Sequence, residues 1–147
     1  MSLKVTLLDN LKTAMRDKDT IGKNTIQMVR SAVLQVEKDN RITLDDDGII
    51  EVIAKELKKR RDILPEYEKS GRQDLIEDLK AEINVLLQYL PQQLSEEELE
   101  VIVRQAIKDT GATSPKDMGK IMQAVMPQVK GKADGKMVNQ VAKKLLG

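Results

Sequence analysis

The stretch VKGKADGKMVNQV, residues 129–141, packs Gly131, Gly135 and three lysines into the seven positions from Lys130 to Lys136. Glycine-rich loops bearing lysine cradle phosphates, so nucleotide chemistry is the first reading to weigh. A Walker-type loop needs four residues between its glycines, then Lys and a hydroxyl residue, after a buried strand. Here three residues separate Gly131 from Gly135, and Met137 stands where the Mg²⁺-binding hydroxyl belongs. The preceding segment has the pattern of a Met-rich helix, not a strand. The stretch reads instead as a turn in which Gly131 gives backbone freedom and Asp134 caps a following helix.

The lysines remain to be explained. The chain carries +1 overall, but from Thr113 to the end Lys116, Lys120, Lys130, Lys132, Lys136, Lys143 and Lys144 face only Asp117 and Asp134, a local +5 over 35 residues. These seven lysines are the candidate nucleic-acid contacts. The start of the last helix adds partial positive charge and free amides near Lys132 and Lys136. The competing reading is a solvated polar face, since no aromatic platform for base stacking accompanies them.

Other chemistry is thin. Cys and His are both absent, which removes thiol nucleophiles, imidazole bases and Cys/His zinc sites. Asp45-Asp46-Asp47 lacks the spacing of a calcium loop and suits a helix start. No catalytic residue, metal or cofactor is expected. Lys58-Lys59-Arg60-Arg61 encircles a helix and cannot form one patch, because successive residues point about 100° apart. Glu56–Arg60 and Lys58–Asp62 at i,i+4 suggest a salt-bridged exposed helix. Alternatively, Arg60 lays its stem on the core edge, or the helix projects past its neighbours there. Met118, Met122 and Met126 recur at helical spacing, as a core stripe or an adaptable exposed groove.

The elements that would hold these residues are all helices. No Phe or Trp is present, so any core must be aliphatic. Apolar periodicity gives helices over about residues 3–18, 22–39, 45–69 and 72–90. The first has Leu7, Leu8, Leu11 and Met15 inward; the third has Ile50, Ile53, Leu57 and Leu64, with a kink or early end at Pro65. Residues 91–94 read as a linker. Ser95 and Glu98 then form a capping box for a fifth helix that ends at Gly111. Ser114 with Pro115 starts a sixth helix, in which Gly119 leaves room for a neighbour, and Asp134 and Gly135 open a seventh to about residue 146. The expectation is an all-α chain: a four-helix unit over 1–90 and a three-helix unit over 95–147. No segment has the continuous apolar run of a signal peptide or membrane span, so a cytoplasmic location is expected.

Several motifs combine in the second half. They are Leu90-Pro91-x-Gln93-Leu94, Thr110-Gly111-Ala112-x-Ser114, Lys116-Asp117-Met118-Gly119-Lys120-x-Met122 and Lys130-Gly131-x-Ala133-Asp134-Gly135-Lys136. Together they resemble the GatB/YqeY family, whose tail segment closes the B subunit of the glutamine-dependent aminoacyl-tRNA amidotransferase. Lys59-Arg60-Arg61-Asp62 and Ala81-Glu82-Ile83 resemble the stand-alone YqeY-like branch. The resemblance implies a bacterial protein linked to tRNA-dependent amidation, with tRNA or an amidotransferase or other translation protein as partner. It also implies the label of carbon–nitrogen ligase with glutamine as amide donor, but the family's catalytic domain and glutaminase have no counterpart in these residues. The expected role is thus a non-catalytic tRNA-binding protein. The alternative is a protein-interaction module using the Met stripe or the hairpin of the third and fourth helices.

Overall fold

A computed structural model describes residues 2–147, and the described chain is helical throughout, without strands. Seven α-helices follow one another: α1 (Leu3–Arg16), α2 (Thr20–Asn40), α3 (Asp46–Ser70), α4 (Gln73–Leu87), α5 (Glu96–Thr110), α6 (Met118–Val125) and α7 (Gly135–Leu146). Short 3₁₀ turns at Pro115–Asp117 and Met126–Gln128 flank α6. The chain forms two compact units, Met1–Leu90 and Pro91–Gly147.

The first unit closes over Leu7 and Leu11 of α1, Ile26, Val29 and Val33 of α2, Ile49, Val52, Ile53 and Leu57 of α3, and Leu79, Ile83 and Leu86 of α4. Leu7, Leu11, Ile53 and Leu57 are buried as the periodicity predicts, and each of these two stripes differs at one end member. Ala14 turns inward on α1 and Met15 is 55% exposed; on α3 Ile49, not Ile50, is fully buried. In each helix the buried residues keep the three- and four-residue steps of one face.

The inward ladder of α3 runs Ile49, Val52, Ile53, Glu56, Leu57, Arg60, so two charged residues occupy core-facing positions. The exposed-helix reading of this segment is therefore corrected at Glu56 and Arg60, each only 7% exposed. Arg60 Nη1 donates to Glu56 Oε2 at 2.9 Å and to the Glu56 carbonyl at 3.0 Å. Its Nη2 lies 3.6 Å from Glu82 Oε1 on α4 and donates to Met28 Sδ on α2. Arg60 Nε is buried without a partner. Lys58–Asp62 forms the expected surface pair at 3.1 Å.

Pro65 does not end α3, which runs on to Ser70 and closes on Gly71 at φ 70°. A proline removes one backbone donor, and the remaining i,i−4 bonds carry the helix past it. At 25 residues α3 is about 37 Å long. Helix α4 stops at Leu87, earlier than its pattern and shortly before Pro91, whose ring disfavours helical backbone at the residue before it. Amides of Tyr89 and Leu90 then bond three residues back, to Leu86 and Leu87, which tightens the exit.

At the other end of the unit, Glu37 joins three segments. Its Oε2 accepts from Lys4 Nζ of α1 at 2.6 Å and from the Leu44 amide at 2.8 Å, just before Asp45 caps α3. The Lys4 ammonium, and then the Leu44 amide, hold its carboxyl below the usual glutamate range.

Two outcomes follow for this unit. Arg60→Met leaves Glu56 buried beside only Lys59, and should lower stability by about 3 kcal/mol in urea unfolding. Adding Glu56→Gln should recover most of that loss, because the stranded charge is gone. A depressed carboxyl pKa stabilises fully above its ordinary value of 4.5, and that contribution is lost as pH falls through the lower folded value. Thermal melts across that acid range should therefore be less pH-sensitive in Glu37→Gln than in the parent.

Candidate nucleic-acid interface

The second unit closes over Leu99, Val103 and Ala106 of α5, Ile121 and Val125 of α6, and Val138, Val141 and Ala142 of α7, with Val129 and Ala133 from the turn between the last two. Its helix ends are held as the residue types require. Ser95 and Glu98 make both bonds of a capping box. Gly111 sits at φ 70° and closes α5. Ser114 makes no side-chain capping bond; the Asp117 carboxylate instead accepts from the Thr113 amide at 3.0 Å. Helix α6 consequently begins at Met118, behind a 3₁₀ turn, and not at Pro115.

The opening lysine stretch is a built turn. Gly131 takes φ 75°, and Asp134 accepts from the Met137 amide at 2.9 Å. The amides of Lys132 and Ala133 both bond back to the Val129 carbonyl. Two bonds arrive from the segment that sequence marks as linker: Leu94 N donates to the Lys132 carbonyl at 3.0 Å, and Gln93 Nε2 to the Gly131 carbonyl at 2.7 Å. The Leu90-Pro91-x-Gln93-Leu94 and Lys130-to-Lys136 motifs thus meet in space. Sequence reasoning missed this role of Gln93, since nothing local separates it from its neighbour Gln92. The co-occurrence of the two motifs was the one available signal.

The candidate lysines do not share one environment. Lys130 and Lys132 lie in the turn, and Lys136 on the first turn of α7; Lys130 and Lys136 are exposed and Lys132 is half-buried. Lys143 is exposed and falls seven residues after Lys136, on nearly the same helical face. Lys116 and Lys120 are exposed around the start of α6, with Lys120 Nζ 3.9 Å from Asp117. Lys144 is committed elsewhere, 3.4 Å from Glu100 and 3.5 Å from Glu96 on α5. Glu100 above all raises its pKa. The Asp134 carboxylate already holds one of the α7 amides that an anion would use.

One sequence reading changes here, and one pair of alternatives is decided. Gly119 is exposed, and a Cβ placed on it would meet nothing within 4 Å, so no helix approaches there. Gly135 stands closer to a neighbour, since a Cβ there would lie 3.6 Å from Met122 Cε. Met118, Met122 and Met126 are half-buried and pack on the core, at its edge, as the core-stripe reading expects. Among the described residues no group of three or more metal-ligating side chains converges, and no helix is long and apolar enough to cross a membrane.

Gln93 gives this site its test. Gln93→Ala removes the bond to the Gly131 carbonyl and should cost about 1 kcal/mol. Amide exchange at Lys132 and Ala133 should quicken while that at α4 stays unchanged.

Comparison with known proteins fits these motifs. A Pyrenophora tritici-repentis protein named altered inheritance of mitochondria protein 41, mitochondrial, is 26% identical over 141 residues, 94% of this chain and 77% of its own. The protein of that name from Kluyveromyces lactis is 35% identical over 134 residues, 88% of this chain and 68% of its own. An uncharacterized Schizosaccharomyces pombe protein is 29% identical over 89 residues. These relatives correct the expectation of a bacterial, cytoplasmic protein, for those that carry a descriptive name are mitochondrial proteins of fungi. The YqeY-like protein family matches residues 4–146, nearly the whole length. The chain belongs to the YqeY-like protein family.

Proposed function

We propose that the chain is a non-catalytic helical module that contacts tRNA through its second unit, in association with tRNA-dependent amidation. The observation that carries this reading is the turn at Lys130–Lys136, held by Gln93 and Leu94. A lysine on a fixed turn loses less freedom on meeting a phosphate than one on a loose loop. Lys143 falls on nearly the same face of α7 as Lys136 and adds to this charge, while Lys144 lies against Glu96 and Glu100 on α5. The motifs shared with the amidotransferase tail support the same partner.

Filter binding of tRNA, titrated against salt, is the measurement. The affinity should fall linearly on a log–log plot as counterions are released. Lys130→Glu/Lys132→Glu/Lys136→Glu should weaken binding at least about tenfold, with helicity retained, while Lys144→Glu should change it far less. A salt-independent affinity, or a triple variant that binds like the parent, overturns the reading.

A second reading rests on the α3–α4 hairpin. Past Arg60 its tip carries the 39%-exposed Ile63 among exposed charged residues, a surface suited to a protein partner. Loss of a protein partner, with tRNA binding intact, on Ile63→Asp would favour it.

A further inference from the structure

One face of α5 is left unused by everything described so far. Val101, Arg104, Gln105 and Lys108 lie at i, i+3, i+4 and i+7, so they form one stripe along the helix. With Ile107 and Leu145 they line an open groove of about 500 Å³ within the second unit. Val101 is 68% exposed, the most exposed large apolar side chain among the described residues.

Three local costs coincide on this stripe. An exposed valine gains nothing from burial. It is also β-branched, which lowers helix propensity where a Glu or Lys would serve better. Arg104 and Lys108 put like charges at i,i+4, which weakens an isolated helix. Neither cation makes an ion pair or hydrogen bond among the described residues. The carboxylate at the right spacing to relieve Arg104, Glu100, is drawn to Lys144 instead. The groove lining therefore holds two cations and no anion around an apolar centre.

We infer that this face of α5 docks an acidic amphipathic helix of a partner protein. Apolar side chains of that helix would cover Val101, Ile107 and Leu145, and flanking carboxylates would pair with Arg104 and Lys108. Such an occupant offsets all three costs at once. An RNA backbone would meet the cations and gain nothing from the apolar centre, and no aromatic side chain lines the groove to stack a base. The proposal is independent of the lysine turn and of tRNA binding.

The test is an NMR titration of the full ¹⁵N-labelled chain with a synthetic helical peptide that carries leucines on one face and glutamates beside them. Saturable shifts should centre on Val101, Arg104, Lys108 and Leu145. Val101→Asp, a change at an exposed site, should weaken binding by roughly tenfold or more. Arg104→Glu/Lys108→Glu should abolish it and should accept the same peptide with lysines in place of glutamates. A composition-matched peptide of scrambled order should bind poorly. Equal binding of the scrambled peptide, indifference to Val101→Asp, or shifts centred elsewhere would overturn the proposal. If tRNA moves the same amides and Val101→Asp leaves that unchanged, the face belongs to nucleic acid and the proposal fails.

Discussion

Without phenylalanine or tryptophan, the fully buried residues of both cores are aliphatic, and Tyr67 and Tyr89 pack only at the edge of the first. Each such side chain contributes about 1.5–3 kcal/mol when fully buried, so closure requires many of them in register. The first unit meets this with long helices whose inward ladders interlock. The second, at Pro91–Gly147, is short enough that burial alone leaves little margin. It compensates at its helix ends, with a complete capping box at Ser95, a left-handed glycine at Gly111 and a side-chain cap at Asp134.

Aliphatic ladders also make the polar exceptions informative. Glu56 and Arg60 stand where α3 would otherwise carry two more apolar residues. Their guanidinium–carboxylate pair sits against Glu82 of α4 and Met28 of α2, so a single side chain touches three helices. Hydrophobic side chains slide past one another at modest cost, whereas a buried guanidinium accepts few positions. The triad therefore supplies register to a hairpin whose apolar contacts are interchangeable. It also accounts for part of the family-like motifs around Arg60 and Glu82 in terms of packing.

Much of this fold was legible in advance. The seven helices, the caps at Asp45, Ser95 and Asp134, and the closing glycine at Gly111 all follow from local residue chemistry. What escaped was phase and distance. On α3 the expected stripe holds at Ile53 and Leu57 and differs at its first member, where Ile49 and not its identical neighbour Ile50 is buried; Arg60 lies on that same stripe, but its pairing with Glu56 and its depth depend on tertiary packing. Pro65 was given more weight than one lost donor warrants. At the candidate interface, the caps and the left-handed glycine were readable, but the bonds from Gln93 and Leu94 were not, since they depend on tertiary proximity. Charge counting grouped Lys144 with the other lysines, while the structure commits it to Glu96 and Glu100.

The bond from Gln93 to the Gly131 carbonyl spans 38 residues of chain, about two thirds of the second unit. Helices form from near neighbours, but a contact of that span must wait until the intervening segments have found one another, because loop closure costs entropy before it returns any contact. The long-range brace on the lysine turn is thus added late, after the local bonds that give the turn its shape. A chain whose second unit has not closed presents the same lysines on a turn that lacks the bonds from Gln93 and Leu94.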